Sequence, residues 1–188
     1  MKNKIILVAG YPAAGKSTFS QNLSQYLGIP CFNKDIIKEV MSDGFGIENS
    51  SLLNQDKKGS AVTFMLILHI AEHFLQTGNI CILESNFRMW ELDQIRILLG
   101  KYNGESLLFV FKGDLDVLFD RYVERSSERH WVHKSAGDRD TFKKVMKEAF
   151  GLAETASEQS VVIDATSFSD INYSALFDSA KRFLEIEI

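Results

Sequence analysis

Eight residues near the start of the chain, residues 10–17, read GYPAAGKS and fit the pattern G-x-x-x-x-G-K-[ST]. Gly10 and Gly15 allow the backbone to bend and to approach an anion where a Cβ atom would clash. Lys16 supplies a positive charge to the β- and γ-phosphates of a nucleotide, and the hydroxyl group of Ser17 can ligate Mg²⁺. The spacing therefore predicts a loop that binds the phosphates of ATP together with Mg²⁺.

The loop lies where this motif requires it, between a predicted strand at residues 4–9 and a predicted helix at residues 15–27. Backbone N–H groups of the loop and of the first helical turn are free to face a phosphate, and the helix dipole adds attraction. We therefore expect Ala13, Ala14 and Thr18 to bind the nucleotide as well.

With this loop, the sequence resembles the small P-loop kinases of the zeta-toxin, chloramphenicol phosphotransferase and polynucleotide kinase type. These form an AAA-type ATP-binding family within the wider nucleoside-monophosphate-kinase-like group. The resemblance extends over most of the chain. It implies an ATP-dependent phosphotransferase that requires Mg²⁺ and moves the γ-phosphate to a hydroxyl group of a small-molecule or nucleotide-type acceptor.

The resemblance also implies a general base just after the second strand, and Asp35 occupies that position. A carboxylate within hydrogen-bond reach of the acceptor could take the proton of the attacking hydroxyl group. Alternatively, Asp35 is a helix cap, a position that favours aspartate for structural reasons. Relatives often carry arginine three residues later, whereas this chain has Lys38, which cannot bind an anion in the bidentate manner of arginine.

A second polar cluster follows the predicted strand at residues 80–84. Glu84 stands where many P-loop proteins have a Walker B aspartate, and it could hold a Mg²⁺-bound water or orient the acceptor. Asn86 and Arg88 are expected to bind the acceptor, because ligands of open α/β folds collect at the carboxyl ends of strands. The alternative is a polar strand end that caps the next helix.

Three arginines, Arg121, Arg125 and Arg129, recur every four residues and would share one face of a continuous helix. In the kinases that the chain resembles, such residues belong to a lid, here about residues 121–140, and neutralise the transferring phosphoryl group. We expect Arg121 and Arg125 to be catalytic and Arg129 to bind substrate. A solvated helix face, paired with neighbouring carboxylates, is the alternative.

The last predicted strand, residues 161–164, resembles the strand that packs near adenine in this family. Asp164 and Thr166 are therefore expected to contribute to the base pocket.

These side chains need a scaffold that brings the ends of several strands together. Apolar runs alternate along the chain with longer helical patterns, which indicates a parallel α/β sheet buried on both faces. The predicted strands are residues 4–9, 30–33, 80–84, 106–112 and 161–164. The predicted helices are residues 15–27, 35–41, 60–76, 89–99, 114–127, 141–156 and 173–185. The expected fold is one three-layer α/β/α domain, and the resemblance implies strand order 2-3-1-4-5.

Composition limits the partners. With 21 basic and 25 acidic residues, the net charge of −4 gives no overall field for a long nucleic acid. The first ten residues lack the long apolar region and the cleavage site of a secretory signal, and the most apolar later stretch, residues 61–75, is interrupted by polar side chains. We therefore expect a cytoplasmic protein without a membrane span. The sequence does not indicate an oligomeric state.

Two alternatives from other classes remain. His69, Glu72 and His73 match the H-x-x-E-H motif of inverted zinc peptidases, although their helix is otherwise apolar and no third metal ligand is indicated. The other alternative is a regulatory module that uses ATP without phosphorylating a small molecule.

Overall fold

The structure is a computed structural model that describes residues 3–46, 58–133, 137–150 and 159–185. Five parallel strands form one sheet in the order β2-β3-β1-β4-β5. The strands are β1 (Asn3–Gly10), β2 (Cys31–Asn33), β3 (Cys81–Glu84), β4 (Gly104–Lys112) and β5 (Gln159–Asp164). The strand order confirms the expectation from the resemblance.

Seven helices accompany the sheet in the part of the chain that the structure describes. They are α1 (Lys16–Leu27), α2 (Lys34–Gly44), α3 (Lys58–Gln76), α4 (Met89–Lys101), α5 (Leu115–Glu124), α6 (Arg139–Phe150) and α7 (Tyr173–Leu184). Short 3₁₀ turns lie at Arg125–Ser127, Trp131–His133 and Phe168–Asp170. The predicted continuation of α6 over residues 151–156 lies outside the described residues.

Alternating residues of the central strand β1 divide the core between the two faces of the sheet. Ile6 and Val8 pack with side chains of α1, α5, α6 and α7. Ile5 and Leu7 pack with side chains of α3 and α4 on the other face. Because both faces are covered by helices, the strands are continuous hydrophobic runs and not alternating ones. The result is the predicted three-layer α/β/α fold.

Strand register places the polar strand ends side by side. Glu84, the last residue of β3, pairs with Val8 of β1 on one side and with Asn33 of β2 on the other. Parallel strands end at the same edge of a sheet, so the loop after β1 meets the first turn of α2 and the segment after β3. This edge is where open α/β folds bind ligands.

Among the described helices, none combines the length and the apolar composition needed to cross a lipid bilayer.

Candidate active site

The loop between β1 and α1 has the backbone geometry of a phosphate cradle. Gly10 has φ 127°, and a Cβ atom there would lie 2.0 Å from the carbonyl oxygen of Phe111. Gly15 adopts the left-handed conformation as the N-cap of α1 and has no side chain to bind the first N–H groups of the helix. Ala13 also has a positive φ of 60°. The first turn of α1 contains no acidic residue, so its N–H groups and dipole favour an anion.

Lys16 is buried inside this cradle. Its ammonium group donates to the carbonyl oxygen of Tyr11 at 2.7 Å. Burial lowers the pKa of Lys16 to about 8, against the opposing attraction of Glu84 and Asp35. Nearby positive charge on Arg129 and Arg125 lowers this pKa further. The lysine is therefore a desolvated cation for which a polyphosphate is a favourable partner.

Glu84 is the centre of a hydrogen-bond network below the cradle. Its carboxylate accepts from the hydroxyl groups of Ser17 at 3.0 Å and Ser20 at 3.3 Å, and from the side-chain amide of Asn33. Burial raises the pKa of Glu84, whereas the charge of Lys16 and the hydrogen bond from Ser17 lower it. The network fixes the strand ends of β2 and β3 relative to α1.

Ser17 and Glu84 present the oxygen ligands that Mg²⁺ prefers. Among the described residues, no group of three or more histidine, cysteine, aspartate or glutamate side chains could hold a metal ion on its own. A hydroxyl ligand with a carboxylate behind it suits a Mg²⁺ ion that takes its other ligands from water and from phosphate oxygens. The donor set therefore fits the predicted magnesium.

Asn33, and not Asp35, is the cap of α2. The side-chain oxygen of Asn33 accepts from the N–H groups of Asp35 at 2.7 Å and Ile36 at 3.1 Å. This leaves the carboxylate of Asp35 available for another role, and the residue lies in the wall of a cleft that Lys16 also lines. The helix-cap interpretation of Asp35 is therefore wrong.

The cleft has a volume of about 530 Å³ and lies at the carboxyl edge of the sheet, where the cradle, α2 and the segment after α5 meet. Its lining residues are Pro12, Ala13, Lys16, Ser17, Asn33, Asp35, Ile36, Glu39, Glu84, Asn86, Tyr122, Arg125, Glu128, Arg129, His130 and His133. Of the residues expected to bind the acceptor, Asp35, Glu84, Asn86 and Arg129 are brought together here. Lys38 and Arg88 are not among the lining residues.

Arg88 and Lys38 lie elsewhere for local reasons. Arg88 is the exposed N-cap of α4, and its backbone N–H donates to the side chain of Glu91 at 3.0 Å. Lys38 is half-buried on α2, and burial lowers its pKa against the attraction of Asp35.

The predicted row of three arginines is interrupted. Helix α5 ends at Glu124 and a 3₁₀ turn follows, so Arg125 and Arg129 do not continue the helical face of Arg121. Arg125 and Arg129 line the cleft, and the guanidinium of Arg129 stacks over the ring of Tyr122 at 4.5 Å.

Arg121 points away from the cleft. Its guanidinium donates to the carbonyl oxygens of Ala165 at 2.6 Å and Thr166 at 2.7 Å, and it stacks over the ring of Phe168 at 4.1 Å. A Cβ atom added at Gly15 would lie 3.0 Å from the same ring. Arg121 thus ties α5 to the segment after β5, beside the cradle.

Asp164 is the last residue of β5, and Thr166 lies in the turn that follows. Asp164 accepts from the backbone N–H of Thr166 at 2.9 Å, and the hydroxyl group of Thr166 accepts from the N–H of Asp114 at 2.8 Å. Both residues line a separate depression of about 460 Å³ and not the main cleft. In the cradle itself, Ala14 is buried, whereas Thr18 is exposed on α1.

Sequence reasoning missed several cleft residues, among them Asn33, Glu39, Tyr122 and Glu128. A recognisable signal existed for Asn33, because asparagine directly before a helix is a favoured N-cap. Glu39, Tyr122 and Glu128 lie on helices or next to a helix end, where the local sequence does not indicate which cleft a polar residue faces.

The zinc-peptidase alternative has no support in the structure. Glu72 accepts hydrogen bonds from Lys101 at 2.7 Å and from the hydroxyl group of Tyr102 at 2.8 Å. His69 and His73 are exposed on α3, and they are part of no metal-binding cluster among the described residues.

Comparisons with known proteins agree with this fold. The chain is similar to a solved protein from Chloroflexus aurantiacus that is provisionally assigned as a kinase, with 26% identity, 97% and 98% of the two chains covered and a TM-score of 0.82. It is similar in fold to a shikimate kinase from Acinetobacter baumannii in complex with shikimate, with 13% identity, 100% and 96% coverage and a TM-score of 0.63. A gluconokinase from Sinorhizobium meliloti shares 13% identity, with 98% of each chain covered and a TM-score of 0.60.

No curated protein matches the sequence. The model of the AAA domain family matches residues 5–153, which include the cradle, Asp35, Glu84 and the arginines of the cleft. The chain therefore belongs to the AAA domain family.

Proposed function

We propose that the protein is an ATP-dependent phosphotransferase that moves the γ-phosphate of ATP to a hydroxyl group of a small-molecule acceptor. One observation carries this proposal: the carboxylate of Asp35, free of any capping role, lines the same cleft as Lys16 and Ser17. Kinases among the structurally similar proteins support the same class of reaction.

Each cleft residue has a part in the proposed reaction. Asp35 accepts the proton of the acceptor hydroxyl group, whose oxygen forms the new bond to the γ-phosphorus. The bond from the γ-phosphorus to the bridging oxygen breaks, and ADP leaves with that electron pair. Lys16, Arg125 and Arg129 stabilise the charge on the phosphoryl oxygens. Bound Mg²⁺, held by Ser17 with Glu84 behind it, would neutralise further charge on the β- and γ-phosphates.

Substitution of Asp35 tests the proposal. Asp35→Asn keeps the shape of the side chain and should preserve the thermal shift produced by MgATP, while acceptor-dependent ADP release falls by about 10²- to 10⁴-fold because the base is lost. The assay is ADP release over a panel of hydroxyl-bearing metabolites and antibiotics. Lys16→Ala should weaken both ATP binding and transfer.

Asp93→Asn is the matched control, because the Asp93 side chain is half-exposed on α4 and pairs with Arg96 outside the cleft. Transfer that survives Asp35→Asn unchanged would show that Asp35 is not the base. Tight ATP binding by the wild-type protein without ADP release on any acceptor would favour the regulatory module instead.

A further inference from the structure

The wall of the cleft formed by α2 is acidic. Asp35, Ile36 and Glu39 all line the cleft, and residues four apart on a helix lie on the same face. The Cβ atoms of Asp35 and Glu39 are therefore separated by about 5–6 Å, one helical turn. A ligand whose hydroxyl group is bound at Asp35 would have its next substituents near Glu39.

His133 faces Glu39 from the opposite wall of the cleft. The His133 side chain is only 10% exposed, and its Nε2 atom lies 3.1 Å from a carboxylate oxygen of Glu39. That approach lacks hydrogen-bond direction, so Nε2 has no hydrogen-bond partner among the described residues. Burial lowers the pKa of His133, against the opposing attraction of Asp35 and Glu39.

The neighbouring His130 is different. Its Nδ1 atom accepts from the N–H of Val132 at 3.2 Å, so Nε2 carries the proton and donates to Asp43 at 3.0 Å. The His130 ring and the Asp43 carboxylate therefore already satisfy each other.

The cleft also contains permanent cations. Among the described lining residues they are Lys16, Arg125 and Arg129. Arg125 and Arg129 both act electrostatically on Lys16, so the three form one positive group that a triphosphate would occupy. Arg129 also acts electrostatically on His133, the neighbour of Glu39.

We infer that the acceptor, given the proposed function, is a small hydroxyl compound that also carries a protonated amine, with Glu39 binding the amine and Asp35 the reacting hydroxyl group. A carboxylate or phosphate at the same place would face two carboxylates, and like charges in a cleft are repulsive. An amine gains a charge-assisted hydrogen bond with Glu39.

Three matched probes test this inference. Each is a cyclohexane ring with one hydroxyl group and, across the ring, an amine, a second hydroxyl group or a carboxylate. Their dissociation constants would be measured by ligand-observed NMR on the full chain with Mg²⁺ and a non-hydrolysable ATP analogue. We expect the amine to bind about tenfold or more tightly than either other probe, which corresponds to one charge-assisted hydrogen bond.

Glu39→Gln should remove most of that preference and leave binding of the ATP analogue unchanged. Glu148→Gln, the same substitution at an exposed position on α6, should leave the preference intact. The inference is overturned if the diol or the acid binds as tightly as the amine, if none of the three binds, or if Glu39→Gln retains the wild-type order.

ADP release with the same probes separates this inference from the proposed function. Preferred binding of the amine without any ADP would contradict the phosphotransferase and leave the recognition of amines standing. ADP formed with equal or higher kcat/KM on the diol or the acid would contradict the recognition of amines and leave the phosphotransferase standing.

Discussion

Glu84 differs from the aspartate that many P-loop proteins have at this position, and its contacts indicate how the longer side chain is used. It is buried at the end of β3 and accepts from the hydroxyl groups of both Ser17 and Ser20 on α1. The single carboxylate of Glu84 binds both Ser17, the predicted magnesium ligand, and Ser20, one turn later. Glu84 therefore holds the first turn of α1 in place. Its position behind Ser17 supports a role through the orientation of that ligand.

Glu84→Gln should therefore raise the Mg²⁺ concentration that gives half the maximal rate, by about tenfold or more, because conserved outer partners of metal ligands typically contribute 10- to 100-fold. The rate would be measured at saturating ATP while Mg²⁺ is varied. Glu148→Gln serves as the control. A Mg²⁺ dependence identical to that of the wild type would contradict the role assigned to Glu84.

Arg125 and Arg121 should differ in what their loss affects. Arg125→Ala removes a charge from the cleft and should lower kcat by roughly 10²- to 10³-fold, comparable to the loss of one transition-state donor. Arg121→Ala removes two hydrogen bonds to the segment after β5, so it should lower the melting temperature and change kcat far less. Steady-state kinetics and thermal melts of both variants decide this. A larger loss of kcat in Arg121→Ala would support the original prediction that Arg121 is catalytic.

At the scale of elements, a buried ion pair joins α2 to α4. The ammonium group of Lys34 contacts the carboxylate of Glu91, and it lies 5.7 Å from the centre of the Phe64 ring. Glu91 is fully buried, and it also accepts from the backbone N–H of Arg88. Because Asp35 follows Lys34 directly, this pair sets the distance between the proposed base and the segment after β3.

Lys34→Met should lower the free energy of unfolding by about 3–5 kcal/mol, since it leaves a buried carboxylate without its partner. Lys34→Met combined with Glu91→Gln should recover much of this loss. Lys101→Met, which breaks the exposed bridge to Glu72, is the control and should cost far less. Urea denaturation measures all three. Equal losses in Lys34→Met and Lys101→Met would contradict the prediction.

The sequence predicted the strands and most helices well because each is specified by local pattern. The ends of all five strands differ from the prediction by two residues or fewer, since the apolar runs and the turns that bound them are contiguous in the chain. The predicted helix extends to residue 127, whereas α5 ends at Glu124. The spacing of Arg125 and Arg129 matches a helical period, but Ser126 and Ser127 are weak helix formers.

The non-local part of the cleft could not be predicted in the same way. Glu39 and His133 are more than ninety positions apart, and no local pattern indicates that they face each other. The network of Glu84, Asn33 and Ser20 depends on strand order and register, which the sequence indicated only through a family resemblance. Phosphate binding was predictable because its motif is contiguous, whereas acceptor binding is assembled from three separate elements.

At the scale of the whole molecule, burying Lys16 in the cradle lowers the stability of the fold. Its pKa of about 8 lies below the ordinary value of 10.5, so the unfolded chain holds this proton more tightly than the folded protein. At about 1.4 kcal/mol for each tenfold step in proton affinity, the full cost is roughly 3 kcal/mol. The cost is fully present below pH 8 and is removed as the pH rises from about 8 to 10.5.

Lys16→Met should therefore increase the free energy of unfolding at neutral pH, by at least about 2 kcal/mol after the hydrogen bond to Tyr11 is lost. The comparison is made in a Glu84→Gln background, because the methionine would otherwise leave the buried Glu84 carboxylate without its cation. The gain should shrink as the pH approaches 10, where the lysine of the parent is already neutral. Urea denaturation at a series of pH values measures it.

Lys144→Met, an exposed lysine on α6 given the same substitution, controls for general effects of lost surface charge. It should show no gain at neutral pH and no such dependence between pH 8 and 10. If the gain from Lys16→Met were instead constant across this range, Lys16 would keep its proton in the folded protein at every pH tested. The cradle would then stabilise its ammonium group without a nucleotide, and the contribution of a desolvated lysine to ATP binding would be disproved.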